Sequence, residues 1–200
     1  MGPPQVGRSA RRKEGRAKVT GQALYVDDVA PAGVLHGVTV RSPAPRGRIT
    51  AIHFDPAIPW DEFVVVTAAD IPGRNRVKLI ADDQPYLAAD VVNHAEEPVV
   101  LIAHPDRARA DEARRRVTID IDPLPAVLDI EASLAARDII WGTDNVFKRY
   151  EVVKGDVDRA FSSAVVVVEG EYETGAQEQL YIEPNGMIAA VDRDHGITVW

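Results

Sequence analysis

The sequence has no cysteine. A disulfide framework, a thiolate-ligated zinc site and an iron–sulfur cluster held by this chain are therefore excluded. No apolar run reaches the roughly 18–20 residues of a membrane-crossing helix, and the N-terminus lacks the apolar core of a secretory signal. A soluble, cytoplasmic protein without membrane association is expected. Several motifs are also missing. There is no G-x-G-x-x-G and no G-x-x-x-x-G-K-[ST], and neither Gly33 nor Gly37 leads into a phosphate-cradling helix. The five histidines, His36, His53, His94, His104 and His195, form no His-x-His or His-x-x-x-His pair, the spacings that put two imidazoles on one face of a strand or helix. A transition-metal site is not expected, and His94 and His104, which flank a strand, are expected at the surface or in loops. Ser42, Ser162 and Ser163 lie in no G-x-S-x-G elbow. The net charge of −8 argues against a general nucleic-acid binder, because such binding draws on cations that neutralise phosphates.

What is present is ordinary for a globular protein: 46% hydrophobic and 27% charged residues in a 200-residue chain, enough for one or two domains. Charge is uneven. In residues 1–20, Arg8, Arg11, Arg12, Lys13, Arg16 and Lys18 face only Glu14, so a solvated basic arm on an acidic body is expected. Few aromatics lie in this arm, which weakens a nucleic-acid role for it.

From Leu35 the texture is strand-like. Leu35–Arg41 carries β-branched Val38 and Val40 and is closed by Pro43 and Pro45. Ile49–Phe54, Val77–Ile80 and Pro98–Ala103 are further strands, and the continuous apolar run Phe63–Thr67 predicts one buried on both faces. Asp106–Arg116 is the clearest helix, with Ala110, Ala113 and Val117 at helical spacing, Pro105 suited to the first turn and Arg114–Arg116 complementing the C-terminal dipole. Val117–Ile121 follows as a strand ended by Pro123 and Pro125. Ile130–Ala136 and Val157–Ser163 are short helices, the second capped by Asp156. Val165–Thr174 predicts a strong strand, and Met187–Asp192 with Ile197–Trp200 a hairpin around Asp194-His195-Gly196. The chain stops inside that last strand, so it is expected to be part of a longer sequence.

Three local features could carry function. Lys154-Gly155-Asp156 could offer backbone N–H groups to an anion at a helix start, but Asp156 would repel it, and a structural turn is the better reading. Glu178 and Glu183 cannot form an acid/base dyad if Gln177–Glu183 is a strand, because they then point to opposite faces. The same parity puts Gln177, Gln179, Tyr181 and Glu183 on one polar face, either a buried hydrogen-bond network or the lining of a site.

Longer strings are more specific. Lys-Val-Thr-Gly-x-Ala-x-Tyr-x-x-Asp runs from Lys18 to Asp28. It is followed by Leu35-His36-Gly37 with Val40-Arg41-Ser42-Pro43, by Asp83-Gln84-Pro85-x-Leu87-Ala88, by Glu97-Pro98-Val99, and by Pro123-Leu124-Pro125-Ala126-Val127. Further on come Asn145-x-x-Lys148, Lys154-Gly155-Asp156 and Gln177-Glu178-Gln179-Leu180-Tyr181-Ile182-Glu183-Pro184. Over essentially its whole length the chain resembles the molybdopterin-binding large subunit of xanthine dehydrogenase/aldehyde oxidase-type molybdenum hydroxylases. It departs where many members have Gly-Gln-Pro or Gly-Glu-Pro and this chain has Glu96-Glu97-Pro98, and where many have His in place of Gln179.

The resemblance implies an α+β fold: a basic arm over 1–19, an α/β hammerhead domain over 20–128, a linker over 129–144, and the start of a molybdopterin-binding domain over 145–200. It implies hydroxylation of an aldehyde or N-heterocycle carbon with water as oxygen source, molybdenum–molybdopterin in the complete subunit, and iron–sulfur clusters and FAD on partner subunits or domains. The family's Ser-Thr-Gln segment, its glycine-rich loop and its catalytic glutamate lie downstream of this region. None precedes Trp200, so no catalytic, cofactor-binding or metal-binding residue is expected on this chain, and it is expected to be inactive alone. Two alternatives are a non-catalytic binding module with the hammerhead fold and one half of a split enzyme.

Overall fold

The structure is a computed structural model that describes residues 6–200 except 30, 79–80, 176, 178–179, 181, 183–184 and 195. In chain order the elements begin with α1 (Gly15–Val19), β1 (His36–Arg41), β2 (Gly47–Phe54), β3 (Val64–Val66), β4 (Val77–Lys78), β5 (Asp82–Gln84), β6 (Val91–Val92) and β7 (Pro98–His104). They continue with α2 (Arg107–Arg115), β8 (Val117–Pro123), α3 (Ile130–Leu134), α4 (Val157–Ser163), β9 (Ala189–Asp192) and β10 (Gly196–Val199). The chain divides into two compact units, Gly33–Val165 and the pair of segments Met1–Ala32 with Val166–Trp200.

The larger unit contains two three-stranded antiparallel sheets, ordered β1-β7-β3 and β6-β2-β8, and a small β4-β5 ribbon. Its core joins Val40, Val99, Val100 and Ile102 of the first sheet to Val92 and Ile119 of the second, with Ala113 of α2 and Ala88 between them. Alanines at 110 and 113 let the helix approach closely: both are fully buried, and α2 packs on β1, β7 and β8. Asp106 starts this helix by accepting from the N–H groups of Ala108 and Arg109 at 2.8 and 3.3 Å, satisfying two of its orphan donors. Pro105 therefore precedes the cap rather than sitting in the first turn.

Phe63–Thr67 is not the strand buried on both faces that its apolar run predicts, and the central strand of its sheet is β7. The valine run forms β3, a three-residue edge strand that among the described residues pairs only with β7, and Val64 is 50% exposed. A short apolar run does not by itself distinguish an edge from a centre. Here the longer Pro98–His104 segment takes the central place because it can pair on both sides. Phe54 of β2 meets Trp60 edge-to-face and Trp60 meets Phe63 at a tilt, with centroids 5.0 and 5.7 Å apart. His104 closes the row 4.6 Å from Phe63. His104 is thus 7% exposed at the end of a strand, contrary to the surface position expected for it; its Nδ1 accepts from Asp106 N–H at 2.8 Å. His94 is exposed as expected.

The segment 129–144 is ordered locally. It contains α3, capped by Asp129 on Ala132 N–H at 2.6 Å, and it ends at Asn145 with φ +63°. The Asn145 side chain accepts from the N–H groups of Ile140 and Trp141 and donates to the carbonyls of Ser133 and Asp138, so all four of its hydrogen-bonding positions are used.

Val165–Thr174 is not a strand. Its residues are exposed and lie in no ladder among the described residues. Valine propensity cannot make a strand without a partner to accept its backbone hydrogen bonds. The expected hairpin does form. Strands β9 and β10 pair antiparallel, with Ile197 opposite Val191, and Ile188 and Trp200 exchange backbone hydrogen bonds at 3.0 and 2.9 Å.

Candidate functional site

The residues that carry the sequence motifs fall mostly at turns and caps. In the Lys18–Asp28 string, Gly21 has φ +68° just past the end of α1, the left-handed position that favours glycine. Asp28 reaches back to accept from Tyr25 N–H at 2.9 Å. Glycine and aspartate in that pattern are explained by backbone geometry without a ligand. Lys154-Gly155-Asp156 is likewise a turn: Gly155 has φ +75°, and the Asp156 carboxylate occupies the Arg159 N–H at 2.9 Å. An anion arriving there would meet an acceptor already in place.

The most constrained of these positions surrounds Glu97. Its side chain is 3% exposed and its carboxylate accepts from Asn93 N–H, closing the turn between β6 and β7. Ser42 lies against it, fully buried, with its N–H on Glu97 C=O at 2.8 Å and its C=O receiving Glu96 N–H at 3.0 Å. Arg41 Nη1 donates to Glu96 C=O at 2.8 Å. Glu96 itself has φ +64°. The position where the family resemblance leads one to expect glycine is thus a left-handed turn position in this chain, filled by a strained glutamate. Sequence reasoning saw the departure but not its cause. The signal was available in the identity of the replaced residue, since an expected glycine commonly marks positive φ.

An open cleft of about 700 Å3 lies beside this turn, lined in part by Arg74, Arg76, Asp82, Asp83, Asp90 and Asn93. Its arginines are engaged. Arg74 pairs with Asp82 at 3.2 Å, and Arg76 donates to Asp82 C=O at 3.0 Å. Asn75 fixes the wall by exchanging two hydrogen bonds with the Leu87 backbone at 2.6 and 3.1 Å. Among the described residues the lining mixes both charge signs and sets no nucleophile beside a base.

Of the polar face expected from Gln177, Gln179, Tyr181 and Glu183, the last three lie outside the described residues, as does Glu178. Gln177, Leu180 and Ile182 are exposed, outside any ladder, and Leu180 has φ +41°, which an extended strand does not allow. Among the described histidines, His53 pairs with Asp120 at 2.6 Å across β2 and β8, both exposed. No group of three His, Cys, Asp or Glu side chains among the described residues is arranged to hold a metal ion. The two glycine turns in the motifs are closed by their own aspartates, Asp28 on Tyr25 N–H and Asp156 on Arg159 N–H. No described helix is long and apolar enough to cross a membrane.

Comparison with known proteins agrees with this arrangement of elements. Residues 20–125 match the aldehyde oxidase and xanthine dehydrogenase a/b hammerhead domain, and residues 141–200 match the molybdopterin cofactor-binding domain. Xanthine dehydrogenase 1 of Arabidopsis thaliana is 34% identical over 92% of this chain, which spans 13% of that protein. The nicotine 6-hydroxylase large subunit of Paenarthrobacter nicotinovorans is also 34% identical over 92% of the chain, which spans 24% of it. Among solved structures, aldehyde oxidoreductase from Desulfovibrio gigas superposes with a TM-score of 0.81 at 30% identity, over 94% of this chain and 22% of that one. Quinoline 2-oxidoreductase from Pseudomonas putida 86 gives 0.83 at 26% identity, over 98% and 26%.

Proposed function

Because the chain belongs to the aldehyde oxidase and xanthine dehydrogenase a/b hammerhead family, we propose that it is a scaffolding portion of the large subunit of a molybdenum hydroxylase. The observation that carries this reading is the order of the two matches. A hammerhead domain followed by a molybdopterin cofactor-binding domain occupies one short chain that spans 13% and 24% of two curated relatives.

The complete protein binds molybdenum–molybdopterin, which supplies the oxidising centre, and hydroxylates a carbon of an N-heterocycle or an aldehyde with oxygen from water. Relatives and structural neighbours are named for xanthine, nicotine, quinoline and aldehyde chemistry, which supports that substrate range. Electrons pass to iron–sulfur clusters and FAD on partner subunits or domains. Within this scheme residues 20–128 are the hammerhead scaffold and residues 145–200 begin the cofactor domain, with 129–144 between them. The chain contributes no catalytic residue. Its own residues position turns: Glu97 and Ser42 fix the approach to the central strand, and Asn145 fixes the approach to the cofactor domain.

The test compares this chain with a complete subunit that contains it, both produced in a host that makes the cofactor. The complete subunit, with its partners, is expected to retain molybdenum and to reduce a dye with an aldehyde or an N-heterocycle. This chain alone is expected to do neither. Near-stoichiometric molybdenum surviving gel filtration on this chain would contradict the scaffolding role. A molybdenum-loaded complete protein that oxidises neither substrate class would contradict the proposed activity.

A further inference from the structure

Asparagine occurs four times in the sequence, and the four sites differ in one chemically decisive way. Asn75 is held by two hydrogen bonds to the Leu87 backbone and is followed by Arg76. Asn145 uses all four side-chain positions and is followed by Val146. Asn93 is followed by His94, and its backbone N–H is fixed by Glu97. Asn185 is followed by glycine, is exposed, lies outside helices and strands, and has no side-chain hydrogen bond among the described residues.

We propose that Asn185-Gly186 is a self-modification site, at which the chain deamidates and isomerises its own backbone. The reaction is intramolecular. The backbone nitrogen of Gly186, on losing its proton, attacks the Asn185 side-chain carbonyl carbon Cγ. A new C–N bond closes a five-membered succinimide, the bond from Cγ to the amide nitrogen breaks, and ammonia leaves. Water then opens the ring at either carbonyl, giving aspartate or isoaspartate. The net change is gain of water and loss of ammonia, with no oxidant, reductant or cofactor.

Glycine is what makes the step accessible. It has no side chain to obstruct the approach of its nitrogen, and it tolerates the backbone angles that closure requires. Asn185, exposed and without a side-chain hydrogen bond among the described residues, can sample the attacking geometry, whereas the bonded amides of Asn75 and Asn145 are held in place. The reaction depends on how often that geometry is reached.

The consequence is local and electrostatic. A neutral amide becomes a carboxylate, and isoaspartate adds a methylene to the main chain one residue before Gly186. Gly186 sits so close to Val26 that a Cβ there would lie 3.2 Å from Val26 Cγ1. A backbone lengthened at 185 shifts Gly186 where little room separates it from Val26.

The test uses the folded 200-residue chain, incubated at pH 6 and at pH 8 and then digested for peptide mass spectrometry, with an enzymatic isoaspartate assay. The peptide containing residue 185 should show the mass increase of exchanging ammonia for water, together with isoaspartate. It should convert on the order of tenfold faster than the peptides containing Asn75 or Asn145, as expected when one amide is free to reach the attacking geometry. The rate should rise with pH, because Gly186 must lose its proton, and N185Q should abolish the isoaspartate signal. Conversion at Asn75 or Asn145 as fast as at Asn185 would overturn the proposal. So would an unchanged Asn185 under conditions in which a short peptide of the same sequence converts completely.

Discussion

Glu96 occupies a left-handed turn without the residue that turn favours. Replacing it with glycine removes the steric penalty of a side chain at φ +64°. It also gives the unfolded chain more freedom, so the net gain is about 0.5–1 kcal/mol. The denaturant midpoint of Glu96→Gly is expected to rise with an unchanged slope; a fall would show that the glutamate side chain has a compensating role. Glu97 behaves oppositely. Glu97→Ala removes the buried carboxylate that accepts from Asn93 N–H, a hydrogen bond to a charged group worth about 1.5–3 kcal/mol. Glu97→Gln keeps an acceptor oxygen and should lose distinctly less. Gly47 tolerates no side chain at all, because a Cβ there would lie 2.7 Å from the Asp122 carbonyl oxygen and collide with Ile121. Gly47→Ala is expected to lower stability by about 1–3 kcal/mol through overpacking between paired strands, which calorimetry can read.

At the scale of elements, the turn Thr67–Asp70 carries a pH dependence. The Thr67 backbone N–H and then its hydroxyl donate to the Asp70 carboxylate, and these bonds hold its pKa below the ordinary carboxylate value. A depressed folded pKa means that the native state binds fewer protons than the unfolded chain between the two values. The contribution is complete above the unfolded value and is lost as pH falls through the folded one. Asp70→Asn should therefore lower stability near neutrality and flatten this part of the acid limb, the two proteins converging at low pH; an identical acid limb would refute the assignment. Asn145→Ala removes four hydrogen bonds around one loop, and the amides of Ile140 and Trp141 should exchange with solvent on the order of tenfold faster as that loop opens locally.

These elements also show what could be read from the residues alone. The helix at 107–115, the strand pair at its flanks and the final hairpin were legible because periodicity, caps and turn residues agree there. The edge position of β3 was not, because three valines look alike at an edge and at a centre. Val165–Thr174 reads as a strand without being one, because propensity reports what a backbone favours, not whether a partner lies within reach. Asn145 was seen as a motif residue, but its role depends on carbonyls up to twelve residues away, which no local pattern encodes.

For the whole molecule, order is unevenly distributed. The core residues all lie within Gly33–Val165, while the valines at 165–168 are exposed and unpaired among the described residues. Limited digestion with elastase, which cuts after small aliphatic residues, should cleave within 164–175 well before it cleaves within 36–123. Cleavage in the reverse order would contradict this distribution of local stability.

The central place of β7 has a further consequence, for the order of events during synthesis. His36 pairs with His104 and Phe54 with Val117, so neither three-stranded sheet can close until the segment 98–123 has left the ribosome. The first three strands emerge as apolar chain with nothing to pair with, and contacts of such long sequence separation form slowly. The nascent protein is then most exposed to misassociation over one defined interval of its own length. A translation-arrest force profile should show little pulling until β7, α2 and β8 have emerged, and then a single strong release.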